Sequence, residues 1–146
     1  MITQPDFEEL LRLLEAHDVE YMIVGGYAVA YHGYPRFTYD MDIFYNPTVD
    51  NVGRLRSALM DFGFTESYLS PELFLERGNI LMFGVEPARV DMLNDIAGVE
   101  YTAAADHAVR GRYGGVTVNY IGFDDLLKSK RSTGRSKDIL DAQELG

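Results

Sequence analysis

The sequence predicts an α+β (mixed α/β) domain with strands at its centre, and three observations carry that prediction. Short apolar runs over residues 19–24, 39–45, 80–83 and 88–93 have the length and composition of strands. Between them stand segments whose apolar residues recur at helical spacing, as at Phe7, Leu10, Leu11 and Leu14. No repeat, low-complexity tract or linker interrupts the 146 residues, so they read as one domain, 1–146, long enough to bury a core.

Each element has a local cause. Thr3 caps a first helix, with Pro5 tolerated in its first turn and Glu8 and Glu9 near the positive end of its dipole. Residues 19–24 form a buried strand that ends at Gly25-Gly26. Residues 27–32 are small and helical, closed by Gly33 and the breaker Pro35. Residues 39–45 alternate as a strand, followed by a turn at Asn46-Pro47. From Thr48 the period is helical again, with Val52, Leu55, Leu59 and Phe62 on one face and Gly63 as the stop. Strands over 80–83 and 88–93 pair through "GVEPA", and a short helix covers 101–108. Gly114-Gly115 makes a hairpin turn between strands 109–113 and 116–121. The end is helical over 123–130 and, after a break near Gly134, over 137–145.

Composition excludes several classes. No apolar run approaches the roughly 20 residues that span a bilayer, and the acidic start "MITQPDFEELL" is unlike a basic signal peptide, so a cytoplasmic location with no membrane partner is expected. The absence of cysteine removes disulfides, thiolate metal sites and cysteine nucleophiles. A net charge of −10 argues against an extensive nucleic-acid surface. The charge is uneven, however. "KSKRSTGRSK", residues 128–137, holds five basic residues and no acid. A local cationic patch on an acidic body suits a compact polyanion such as a nucleoside triphosphate; its bland reading is a solvated helix face.

The chemistry gathers on carboxylates. Strand alternation sends Asp40 and Asp42 to one side of "YDMDIF" and Met41 and Ile43 to the other. In "ARVDML", Val90 and Met92 take the apolar face and Asp91 the opposite one. If the two strands lie together, three carboxylates converge, a set of hard oxygen donors suited to Mg²⁺. Crowded carboxylates otherwise repel and raise one another's pKa. Upstream, Gly25-Gly26 closes a strand and opens a helix, offering backbone N–H groups to phosphate. Arg36 and Thr38 follow before the aspartates.

"VGGYAVAYHGYPRFTYDMDIF" thereby resembles the DNA polymerase β-like nucleotidyltransferase superfamily, whose signature is an apolar residue, Gly, then Gly or Ser, a spacer, and an aspartate pair alternating with apolar residues. Here Val24, Gly25, Gly26, Asp40, Met41, Asp42 and Ile43 supply it. The form is most similar to small bacterial nucleotidyltransferases related to abortive-infection toxin components, and "FDDLLKSKRSTGRSKDILDAQEL" is similar to their C-terminal region. The resemblance implies their fold, a central mixed sheet flanked by helices. It implies metal-binding and catalytic roles for Asp40, Asp42 and Asp91, with two Mg²⁺ or Mn²⁺ ions and an NTP such as ATP as substrate. Gly25 and Gly26 would lie against the nucleotide phosphates, and Lys130 and Arg131 would meet the triphosphate. Lys137 and Asp138 would belong to a supporting network. Tyr27, beside Gly26, is the tyrosine best placed to touch the nucleotide.

Other signals are set aside. "DFG" at Asp61-Phe62-Gly63 reads as a helix stop, since the chain is too short for a kinase. His32 either touches substrate or packs behind the glycine pair. His17 and His107 have no ligand partners at useful spacing, and Ser132 and Thr133 lack a base. The expected activity is transfer of a nucleoside monophosphate from an NTP to an acceptor hydroxyl on a protein, an RNA end or a small molecule. A toxin–antitoxin or phage-defence role, with an antitoxin or homodimer partner, is compatible with it. The rival is a non-catalytic nucleotide- or protein-binding module, against which the retention of all three carboxylates speaks.

Overall fold

A computed structural model of the chain describes residues 4–34, 40–85 and 88–133. The expectations for Thr3, Pro35, Arg36, Thr38, Gly134, Lys137, Asp138 and the last helix lie outside these residues. In chain order the elements are α1 (Gln4–Ala16), β1 (Tyr21–Val24), α2 (Gly25–Tyr31), β2 (Met41–Tyr45), α3 (Val49–Phe62), a 3₁₀ turn (Glu66–Tyr68), α4 (Pro71–Leu75), β3 (Ile80–Val85), β4 (Ala88–Leu93), α5 (Tyr101–Ala105), β5 (Val109–Tyr113), β6 (Val116–Tyr120) and α6 (Phe123–Ser132).

Six strands form one mixed sheet in the order β3-β4-β2-β1-β6-β5. The pairs β3/β4, β1/β2 and β5/β6 are antiparallel, whereas β2/β4 and β1/β6 are parallel. This is the expected fold class. One face of the central strands carries Tyr21, Ile23, Met41, Ile43, Tyr45, Val90 and Met92, all buried. Helices cover that face: the Tyr21 hydroxyl donates to Glu15 of α1 at 2.5 Å and the Tyr45 hydroxyl to the Phe74 carbonyl of α4 at 2.7 Å. Phe7, Leu10, Leu11 and Leu14 of α1 and Val52, Leu55 and Leu59 of α3 are buried as their spacing predicts. Phe62 is only partly buried against this core.

Local chemistry accounts for the ends of α3. The Thr48 hydroxyl accepts the Asn51 N–H at 3.2 Å, and Gly63 closes the helix at φ 127°. The "DFG" triplet is therefore a helix stop. Asn51 is itself fully buried. Its side chain accepts from the Glu20 N–H at 2.7 Å and donates to the Glu20 and Asn46 carbonyls at 2.9 and 2.8 Å, pinning α3 to the ends of β1 and β2. Asn94 does the same elsewhere, donating to the Phe74 and Glu76 carbonyls and accepting the Gly78 N–H.

Several boundaries differ from the sequence expectation; β1 starts at Tyr21, β3 runs to Val85 and α6 to Ser132. Helix α2 begins at Gly25 itself, because its φ of +68° turns the chain directly out of β1. The α5 helix stops at Ala105, short of residue 108. The 3₁₀ turn and α4 occupy a stretch with no clear periodicity, although Pro71 in the first turn of α4 is an ordinary helix-start signal.

Candidate active site

The register of three strands builds the site. Val24 of β1 stands opposite Asp42 of β2, Asp42 opposite Asp91 of β4, and Asp91 opposite Met82 of β3. Residues paired across a sheet share a face, so Asp42 and Asp91 project together on the face opposite Ile43 and Val90. The expectation that Asp91 would lie on a strand beside Asp42 and on the same face agrees with this geometry.

Both carboxylates enter a cleft of about 370 Å³, a size common for small-ligand sites. Val24, Gly25, Leu93, Ile96 and Ile121 line it, together with Leu126, Ser129 and Lys130 of α6 and the following Thr133. Asp95 also reaches it, and is paired with Arg77 at 3.2 Å. Sequence reasoning did not single out Asp95.

Gly25 is in direct contact with this chemistry. A β-carbon there would overlap the Asp42 carboxylate, and the positive φ disfavours a side chain in any case. Glycine at this position allows a carboxylate to pack against the strand–helix junction. Burial, then the like charges of Asp91 and Asp40, push the Asp42 pKa up to about 7; Lys130 acts in the opposite direction, and a hydrogen bond with Asp91 again favours the protonated form.

Asp40 has a different neighbour. Its Oδ1 accepts the Arg89 backbone N–H at 3.2 Å, and its Oδ2 stands 3.5 Å from Arg89 Nη2. The same guanidinium donates to both oxygens of Asp91, Nε to Oδ1 at 2.7 Å and Nη2 to Oδ2 at 3.0 Å. Among the described residues, no group of three or more His, Cys, Asp or Glu side chains is arranged to hold a metal ion. Asp42 and Asp91 do form an adjacent pair of hard oxygen donors whose mutual repulsion a cation would relieve, so the donor set fits a divalent ion.

The remaining expected contacts separate. Lys130 lines the cleft, but its neighbour Arg131 is exposed and does not. Tyr27 is likewise absent from the cleft wall. Its ring packs edge-on against Phe7 of α1 and Tyr113 of β5, 6.2 and 5.6 Å between centroids, with a buried hydroxyl. Gly26 follows Gly25 into α2 without lining the cleft. His32 does not line the cleft: its Nε2 is 2.7 Å from the Ile121 carbonyl and its ring meets Phe123 edge-on. His17 and His107 pair with Asp61 and Asp125.

No protein-family model and no curated protein matches the chain. Its architecture has a counterpart among solved structures, and the class so defined is the nucleotidyltransferase fold. The likeness is to the crystal structure of a "putative nucleotidyltransferase" from Thermotoga maritima, with a TM-score of 0.64 and 12% sequence identity over 94% of this chain and 88% of that one. No helix among the described residues is long and apolar enough to cross a membrane.

Proposed function

We propose that the protein is a nucleotidyltransferase that moves a nucleoside monophosphate from an NTP to an acceptor hydroxyl and releases pyrophosphate. The observation that carries this reading is the in-register pair Asp42 and Asp91, on adjacent parallel strands of one cleft that Lys130 faces from α6. Asp42 and Asp91 would hold Mg²⁺ or Mn²⁺, with Asp40 as a further ligand. The bound ions supply charge neutralisation at the triphosphate and at the developing oxyanion.

The chain's own residues do the positioning. Lys130 meets the negative charge of the triphosphate from across the cleft. Gly25 brings backbone close to the phosphates where a side chain would intrude, and Arg36 and Thr38 would be additional phosphate contacts. Asp91 accepts the proton of the attacking hydroxyl as the new P–O bond forms and pyrophosphate departs. The acceptor is a hydroxyl on a protein, an RNA end or a small molecule. A cytoplasmic toxin–antitoxin or phage-defence component is the setting that the sequence resemblance favours.

The test is incubation with each α-labelled NTP and Mg²⁺ or Mn²⁺, alone and with cell lysate. Label transferred to the protein or to a lysate component, and lost in Asp42→Asn, is expected. Absence of transfer with all four nucleotides, despite nucleotide binding, would favour the non-catalytic binding module.

A further inference from the structure

We propose that Arg89 is a resident counter-cation of this site, holding Asp91 and Asp40 until a divalent ion takes their oxygens. The inference rests on the metal-dependent reading above and adds to it a residue that competes with the metal.

Strand alternation places Arg89 two residues before Asp91 on the same face of β4. Its planar fork engages Asp91 through both oxygens, at 2.7 and 3.0 Å. Backbone and side chain together also reach Asp40, at 3.2 and 3.5 Å, across the β4–β2 boundary. One guanidinium thus joins two of the three carboxylates. The pair is sheltered, with the Arg89 and Asp91 side chains 27% and 14% exposed. A bidentate guanidinium–carboxylate contact so placed is a stronger partner than an exposed lysine would be.

The geometry has a direct consequence. Asp40 is turned to Arg89, and both Asp91 oxygens accept hydrogen bonds from the same group. Among the described residues no three-carboxylate group is arranged to hold a metal ion. A divalent ion that recruits Asp91 and Asp40 must displace the guanidinium or share oxygens with it. A guanidinium that serves only as strand scaffolding would instead stay in place when metal binds.

Arg89→Lys separates competition from charge, because it keeps the positive charge and loses the fork. Mn²⁺ binding without nucleotide, followed by the paramagnetic resonance of free Mn²⁺, is expected to tighten about three- to tenfold in Arg89→Lys. Arg89→Gln should tighten it at least as much. Equal or weaker Mn²⁺ binding by Arg89→Lys would overturn the inference and leave the transferase reading standing. Failure of wild type and both variants to bind Mn²⁺ would overturn both. The wild-type protein gives a second measurement that needs no variant: Mg²⁺ should shift the Arg89 Nε–H resonance and speed its exchange with solvent. A resonance unmoved at Mg²⁺ concentrations that saturate the site would also overturn the proposal.

Discussion

Asp42 lies so close to Gly25 that a single added methyl group at residue 25 would overlap its carboxylate. The strand–helix junction and the acidic pair are therefore one packing unit.

Gly25→Ala should act on both parts of that unit. The residue sits at φ +68°, where a side chain costs about 1–2 kcal/mol. The melting temperature should fall accordingly. Because the new methyl also forces the Asp42 side chain to rotate, nucleotide transfer should fall by far more than the loss of folded protein explains. Adding Asp42→Ala to Gly25→Ala should recover part of the stability and none of the activity. A Gly25→Ala protein with full activity would separate the junction from the site.

The raised pKa of Asp42 fixes a pH dependence. Between about pH 4 and 7 the folded protein keeps a proton on Asp42 that the unfolded chain has released, so this group's contribution to stability declines as pH rises. Across that window the decline is on the order of 4 kcal/mol at most. Asp42→Asn lacks the titration. The melting temperature of wild type minus that of Asp42→Asn, measured in EDTA, should decrease from about pH 5 to about pH 7 and level off above it. At the upper end the mutant should be at least as stable as wild type. Mg²⁺ should then raise the wild-type melting temperature and leave the mutant nearly unchanged. A mutant that melts earlier at every pH, with or without Mg²⁺, would make Asp42 a scaffold residue.

Lys130 and Arg131 should behave differently although they are neighbours. Lys130→Gln is expected to weaken NTP binding about tenfold and make the remainder less sensitive to salt. Arg131→Gln, on the exposed side of α6, should change affinity less than about twofold. Neither should shift thermal stability much. Equal losses from the two substitutions would place the triphosphate outside the cleft.

Asn51 offers the opposite pattern. Asn51→Ala leaves the Glu20 N–H and the Glu20 and Asn46 carbonyls without their side-chain partner, and should cost about 2–3 kcal/mol of stability. Mn²⁺ and NTP affinities of the folded protein should stay at wild-type values. A change in either would show that α3 influences the cleft.

Much of this was readable in the chain because a strand's period is local. "DMDIF" and "ARVDML" give the faces of Asp42 and Asp91 from alternation alone. That β4 lies beside β2 depends on pairing across the sheet, which the family resemblance implied and periodicity did not. Arg89 was visible in the same alternation as Asp91, yet a basic residue near the start of a strand also reads as solvated. Tyr27 and Arg131 show the limit of adjacency on a helix, where consecutive side chains diverge by about 100°. One of each neighbouring pair meets the cleft and the other does not: Gly25 but not Gly26-Tyr27, and Lys130 but not Arg131. Asp95 lies beyond β4, where alternation no longer predicts direction. Asn51 and Asn94 read as ordinary polar residues because their value comes from carbonyls distant in sequence.

The alternation of β2 also bears on how the chain finds its fold. A slip of one residue in the pairing of β2 would exchange its faces, sending Asp40 and Asp42 toward the apolar layer of α1 and α4 and turning Met41 and Ile43 to the face of the acidic cleft. Burying carboxylates there without partners costs several kcal/mol, more than a shifted ladder of backbone bonds could return. Asp40 and Asp42 would therefore penalise a shifted register during strand pairing. Asp42→Leu would remove that safeguard, and the expected symptom is slow or heterogeneous refolding.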